Sequence, residues 1–145
     1  MLIFISNPDH PLLSHLTADP VRPEIPHSFR TSDRRLVAML LDNNNDPLAV
    51  TCISFHDFVP TSVSELSLVC DNPSVTVFYT IWSNRSGAGR DLLLRALPEI
   101  KQQYPAISTF VTLSPKTELA RRFHLKNGAT QLRENAETVN YCYSS

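Results

Sequence analysis

The spacing of hydrophobic positions changes once along the chain, near residue 83. Before that point apolar residues come in short runs suited to strands. Residues 35–41 and 48–55 read as two strands joined by the turn Asn43-Asn-Asn-Asp46, which predicts an antiparallel hairpin. Residues 75–82 are rich in β-branched and aromatic side chains and predict a central strand. Beyond residue 83, Leu92, Leu93, Ala96, Leu97 and Ile100 recur at helical spacing. A helix is expected from Ala88 to about Tyr104, with Pro98 kinking it or weakening one hydrogen bond. Residues 107–113 predict another buried strand. Ser114 as N-cap and Pro115 at the first helical position then predict a second helix. On it Leu119, Ala120, Phe123 and His124 share one face, and Gly128 closes it. Residues 139–143 read as a last strand. Strand, helix and strand in succession imply a parallel pair with a right-handed crossover. Residues 57–74 carry only weak signals. Pro8, Pro11, Pro20, Pro23 and Pro26 exclude a long helix from residues 1–35, which read as an irregular wrap with one short helix near residues 12–16.

Composition narrows the class. A length of 145 residues fits one α/β domain spanning residues 1–145, and 42% hydrophobic residues suffice for a core. A net charge of -1, from 13 basic and 14 acidic residues, argues against nucleic acid as a partner. No apolar run approaches the length of a membrane span, and the opening Met-Leu-Ile-Phe-Ile-Ser lacks the basic lead of a signal peptide. Cys52, Cys70 and Cys142 form no CxxC pair, so neither a zinc site nor a disulfide framework is expected, and a cytoplasmic location is the simplest. The oligomeric state is not set by the sequence.

Glycine is scarce and therefore informative. Of the 3 glycines, two lie in Asn84-Arg-Ser-Gly-Ala-Gly89, between the central strand and the first helix. Unpaired backbone N–H groups at a helix start bind anions, and Arg85 and Arg90 add charge. Asn84, Arg85, Ser86, Gly87, Ala88, Gly89 and Arg90 are thus candidates to cradle a phosphate. The other reading is a tight turn. The loop is neither a Rossmann fingerprint nor a Walker loop, since it lacks the third glycine of one and the Gly-Lys-Ser/Thr of the other. Ser114, His124, Tyr141 and Tyr143 form a second set of candidates. Each has a plain alternative: a cap for Ser114, a half-buried core histidine for His124, strand filler for the tyrosines. If Ser114 began the helix, it would stand about 15 Å from His124 along the axis, which weakens a direct pair unless Ser114 points across the sheet end and substrate lies between them.

At these residues the chain resembles the GCN5-related N-acetyltransferase superfamily, whose signature loop Gln/Arg-x-x-Gly-x-Gly/Ala matches residues 84–89 apart from Asn84. Ala120-Arg-Arg-Phe-His-Leu-Lys-Asn-Gly128 is similar to its later Ala-x-x-Leu/Phe-Tyr-x-x-x-Gly, with His124 where the general-acid tyrosine stands. A closer resemblance is to the catalytic domain of malonyl-CoA decarboxylase, which shares that fold. Val77-Phe-Tyr-Thr-Ile-Trp-Ser83, Thr109-Phe-Val-Thr-Leu-Ser-Pro115, Phe123-His-Leu-Lys-Asn-Gly-Ala129 and Val139-Asn-Tyr-Cys-Tyr143 carry it. The resemblance implies a mixed central sheet flanked by helices, with coenzyme A or acyl-CoA as the ligand and no required metal. It makes Ser114 and His124 the catalytic pair and Tyr143 their support. Relative to that family, Lys116 to Leu119 replaces a long insertion, residues 128–139 are much shorter, the N-terminal helical domain has no counterpart, and Gly87 stands in place of a glutamate.

Two activities follow as expectations. In decarboxylation, His124 with a near-neutral pKa would donate the proton. Ser114, Tyr143 and the N–H groups of Thr80, Ile81 and Trp82 would stabilise developing charge. In acyl transfer to an amine acceptor, His124 would serve as the acid, with no evident base beyond Glu65 upstream. A third expectation is a domain that binds acyl-CoA, or a protein partner, without turnover.

Overall fold

In the computed structural model, which describes residues 1–144, the apolar run at the start is a strand. β1 (Leu2–Ile5) lies antiparallel on β2 (Arg35–Leu41), with Leu2 opposite Leu40 and Ile5 opposite Val37. Between them the proline-rich segment forms a 3-10 helix at Pro11–Ala18 and a single turn, α1 (His27–Arg30). β2 and β3 (Pro47–His56) form the expected hairpin. Its turn is held by Asp42, whose Oδ1 accepts from the N–H groups of Asn44 and Asp46, with Asn45 at φ 63°. A short 3-10 turn at Ser64–Ser67 precedes β4 (Val75–Ser83).

The second half alternates as its periodicity predicts. α2 (Ala88–Gln103) carries the chain over to β5 (Thr109–Thr112), which pairs parallel with β4. α2 runs through Pro98, which sits on its exposed side. Ser114 and Pro115 do not start a helix. They form the short strand β6 (Ser114–Pro115), paired with Val139 and Thr138. α3 (Glu118–Lys126) starts later, and its N-cap is Thr117, whose Oγ1 accepts from the Ala120 N–H. Gly128, at φ 97°, closes α3 as expected. β7 (Thr130–Glu134) and β8 (Thr138–Tyr143) complete an 8-stranded sheet of order β1-β2-β3-β4-β5-β8-β6, with β7 also paired to β8.

Both faces of this mixed sheet are covered. Against one, Leu92, Leu93, Ala96 and Ile100 of α2 pack on Ala38, Ile53, Phe78 and Phe110. Against the other, Leu13, Leu16, Ile25 and Leu66 pack on Val37, Met39, Tyr79, Val111 and Leu113. The N-terminal segment is therefore a built layer and not a loose wrap. Among the described residues no helix is long and apolar enough to cross a membrane.

Candidate functional site

The central strands part at one rung. The last bond between β4 and the β5 side runs from the Leu113 N–H to the Phe78 carbonyl, at 3.0 Å. Here the β3–β4 register slips between Cys52 and Ile53, leaving Tyr79 as the extra residue of a bulge. Tyr79 and Thr80 both turn towards the N-terminal layer, where Thr80 Oγ1 donates to Asp19. Beyond the bulge β4 keeps β3 as neighbour but loses β5, because the chain turns away into β6 and joins β8. The gap is a groove of about 330 Å³.

Backbone alternation decides which amides face it. Asn84 donates its N–H to Leu48 of β3, so Trp82 and Thr80, two and four residues back, also turn their backbone to β3. Ile81 and Ser83 turn theirs to the gap. Of the three N–H groups expected to serve the site, Ile81 alone is aimed into it. Thr80, Ile81 and Trp82 all line the groove.

His124 reaches the groove from α3. It is 3% exposed, stacked on Tyr141 at 5.1 Å between centroids, and its Nδ1 lies 2.6 Å from the Tyr143 hydroxyl. Nε2 has no protein partner among the described residues, and the ring lines the groove. Burial lowers the pKa of His124 to about 4, so the free protein holds it neutral at pH 7; the expectation of a near-neutral value is corrected. Burial also raises the Tyr143 pKa, keeping its proton on. Ser114 is brought to the same groove and bonds to Thr112 Oγ1 at 2.8 Å. It makes no hydrogen bond to His124. The helical separation expected for the two does not apply, since Ser114 lies in β6. On α3 itself the expected shared face divides: His124 is buried, Ala120 and Phe123 are half-buried, and Leu119 is 81% exposed.

The glycine loop sits at the mouth. Ala88 donates its N–H to the Arg85 carbonyl, while the N–H groups of Ser86, Gly87, Gly89 and Arg90 have no acceptor among the described residues. Residues 84–87 and Arg90 are exposed. The two glycines answer different needs. Gly87 takes φ 81° with nothing within 4 Å of where a Cβ would lie, so its role is conformational. A Cβ on Gly89 would lie 3.2 Å from the Phe123 ring, so this glycine gives α3 room to lean on α2. Asn84 is tied back to β3 through its side-chain amide, which donates to Pro47. That bond helps to shape the loop. Among the described residues no cluster of His, Cys, Asp or Glu is placed to hold a metal, and all three cysteines are free.

The sequence did not point to Arg22. It lies between Pro20 and Pro23 with no periodicity around it, yet its guanidinium donates to the carbonyls of Tyr79 and Leu113, where the strands part.

No family model and no curated protein matches the chain. Solved structures do. The malonyl-CoA decarboxylase of Agrobacterium vitis matches over 100% of this chain with a TM-score of 0.82 at 17% identity. Tetrahymena GCN5 matches over 100% of this chain and 96% of its own, with a TM-score of 0.70 at 14% identity. The chain has the GCN5-related N-acetyltransferase fold. The fold is also that of a GNAT-like decarboxylase, GphF, solved in complex with isobutyryl-CoA, with 15% identity, a TM-score of 0.74 and coverage of 99% of this chain and 98% of that one. The chain spans 59–60% of the length of the malonyl-CoA decarboxylases it matches. In all of these the likeness lies in the fold.

Proposed function

We propose that the chain binds an acyl-coenzyme A thioester and decarboxylates a carboxylated acyl group such as malonyl. One observation carries this reading: a neutral imidazole, backed by Tyr143, lines together with Ser114 an apolar groove whose mouth presents unpaired amides at a helix start. Gly87, Gly89 and Arg90 offer N–H groups to a diphosphate, with the Arg85 and Arg90 side chains beside them. Val21, Leu119 and Phe123 line the groove that would hold the pantetheine arm. The fold's relatives include proteins solved with coenzyme A or isobutyryl-CoA, which supports the ligand class.

The chemistry follows from the residues. Breaking the carbon–carbon bond releases CO2 and leaves its electron pair on the thioester, where negative charge develops on oxygen. The Ile81 N–H, aimed at the gap by strand alternation, and Ser114, which lines the groove, can stabilise that charge. His124 then delivers a proton to carbon from Nε2, while Nδ1 donates to Tyr143. A neutral histidine has no proton to spare, but a carboxylate brought against it raises its pKa. The proton the reaction consumes is thus drawn in by the substrate itself. Among the described residues no acidic side chain lines the groove to deprotonate an ammonium, which weighs against transfer to an amine.

The test is to incubate the purified chain with malonyl-CoA and follow the thioester by mass. Conversion to acetyl-CoA without an amine is expected. Turnover only when an amine is added would make it an acyltransferase. Tight binding with no turnover would make it a binding domain.

A further inference from the structure

Ser114 is bonded on one side only, and the direction of that bond can be worked out. Val111 and Leu113 turn their side chains to the N-terminal layer. Strand alternation therefore turns Thr112 and Ser114 to the opposite face, where Tyr141 and Tyr143 pack and His124 stacks on Tyr141. Two residues apart on an extended chain, the two hydroxyls meet at 2.8 Å. β8 pairs with Val111 through Cys142 and with Ser114 through Val139, and between those rungs side chains tie the strands together. The Tyr141 N–H donates to Thr112 Oγ1 at 3.1 Å, and Asn140 Nδ2 donates to the Thr112 carbonyl at 2.8 Å. Thr112 is 1% exposed and Asn140 fully buried.

A hydroxyl has one proton to give and two lone pairs to offer. In Thr112 one lone pair is taken by the Tyr141 N–H, and the remaining contact is Ser114 Oγ. Were Thr112 to accept there as well, its own proton would be buried with no acceptor among the described residues, which is costly. Thr112 therefore gives its proton to Ser114. The serine proton is left unclaimed, since no described residue accepts it, His124 included. Ser114 lines the groove and Thr112 does not. We propose that Thr112 is a positioning residue that holds Ser114 as a hydrogen-bond donor to the thioester oxygen. The assignment rests on the acyl-CoA reading above. The bonds then run one way, from the Tyr141 N–H through Thr112 to Ser114 and on to the substrate, each strengthening the next. The donor is set before the substrate arrives and meets the charge that develops as CO2 leaves. That charge is largest in the transition state, so loss of Thr112 belongs in kcat more than in KM.

Trp82 is the 1 tryptophan of the chain and lines the groove, so quenching of its fluorescence reports coenzyme A binding by each folded variant. Thr112→Val, which keeps the shape and removes the hydroxyl, is expected to lower kcat for malonyl-CoA about tenfold with KM held within about threefold. Thr112→Ser is expected to bring kcat back to within about threefold of the unaltered chain. Ser114→Ala should lower kcat by about 10²-fold, and adding Thr112→Val to it should cost nothing further. The same tenfold fall in both backgrounds makes Thr112 a strand tie only and overturns the proposal, as does unaltered kcat in folded Thr112→Val. The infrared carbonyl stretch of bound acetyl-CoA needs no change at Thr112. It is expected to lie lower in the unaltered chain than in Ser114→Ala, and equal stretches overturn the proposal. Turnover of malonyl-CoA that is indifferent to both residues defeats this assignment alone. No quenching by coenzyme A defeats the acyl-CoA reading with it.

Discussion

His124 owes its chemistry to where α3 puts it. Its Nδ1 is committed to Tyr143, its faces and edges to Tyr141 and Phe123, and only Nε2 is left for a ligand. His124→Ala should lower turnover of malonyl-CoA by about 10²–10⁴-fold while coenzyme A still quenches Trp82. Tyr143→Phe should cost about 1 kcal/mol of stability and a smaller part of the rate, because the imidazole loses one partner and keeps its stacking. A second histidine shares the same titration. His56 is buried, bonded to Ser54 Oγ at 2.6 Å, and its pKa is lowered to about 4 by burial and by Arg35, against Asp57 and Glu65. Unfolded, both histidines return to about 6.5. Between those values the unfolded chain binds more protons than the folded one, so stability falls as pH drops from about 6.5 to about 4 and loses nothing further from these groups below that. Melting temperatures across that window check this, and His56→Gln should flatten the slope.

Among the elements, the turn from β4 into α2 separates two uses of glycine. Gly87→Ala should cost about 1 kcal/mol, since it puts a side chain at φ 81° without touching anything, and should weaken coenzyme A by misaligning the amides. Gly89→Val should cost roughly 1–3 kcal/mol and lower kcat more than affinity, because it drives Phe123 and thus α3 away. The sequence showed this loop and its helix clearly, because Leu92 to Ile100 keep one unbroken period. It misled just before α3. Ser114-Pro115 has the chemistry of a helix start, but Thr117 supplies a cap as well, and β8 holds Ser114 and Pro115 by pairing that no local pattern reveals. β7 was hidden for a related reason. All of Thr130–Glu134 is exposed, so it shows no alternation and is a strand only because β8 lies beside it. The placement of His124 beside Tyr143 came from family resemblance, and the strand parting that creates the groove came from the structure alone.

At the scale of the molecule, the sheet is clamped between α2 and the N-terminal layer. The clamp on the second side is polar at its centre: Arg30, paired with Asp19, also donates to the carbonyls of Arg22 and Ile25, so the Asp19–Arg30 pair fixes the course of the proline-rich segment. Asp19→Ala should cost about 3–5 kcal/mol by stranding Arg30, while a double exchange to Asp19→Leu and Arg30→Met should recover much of it, as denaturant midpoints will show. That segment reads as irregular in the sequence because its order comes from these long-range bonds and not from any period. Across the sheet, Phe123 lies with its ring against Gly89 and 5.1 Å from the imidazole of His124. One aromatic lever thus joins the proposed diphosphate seat to the proposed proton donor. A thioester stripped of its nucleotide would leave that lever idle, and malonyl-pantetheine should suffer in maximal velocity as well as in grip.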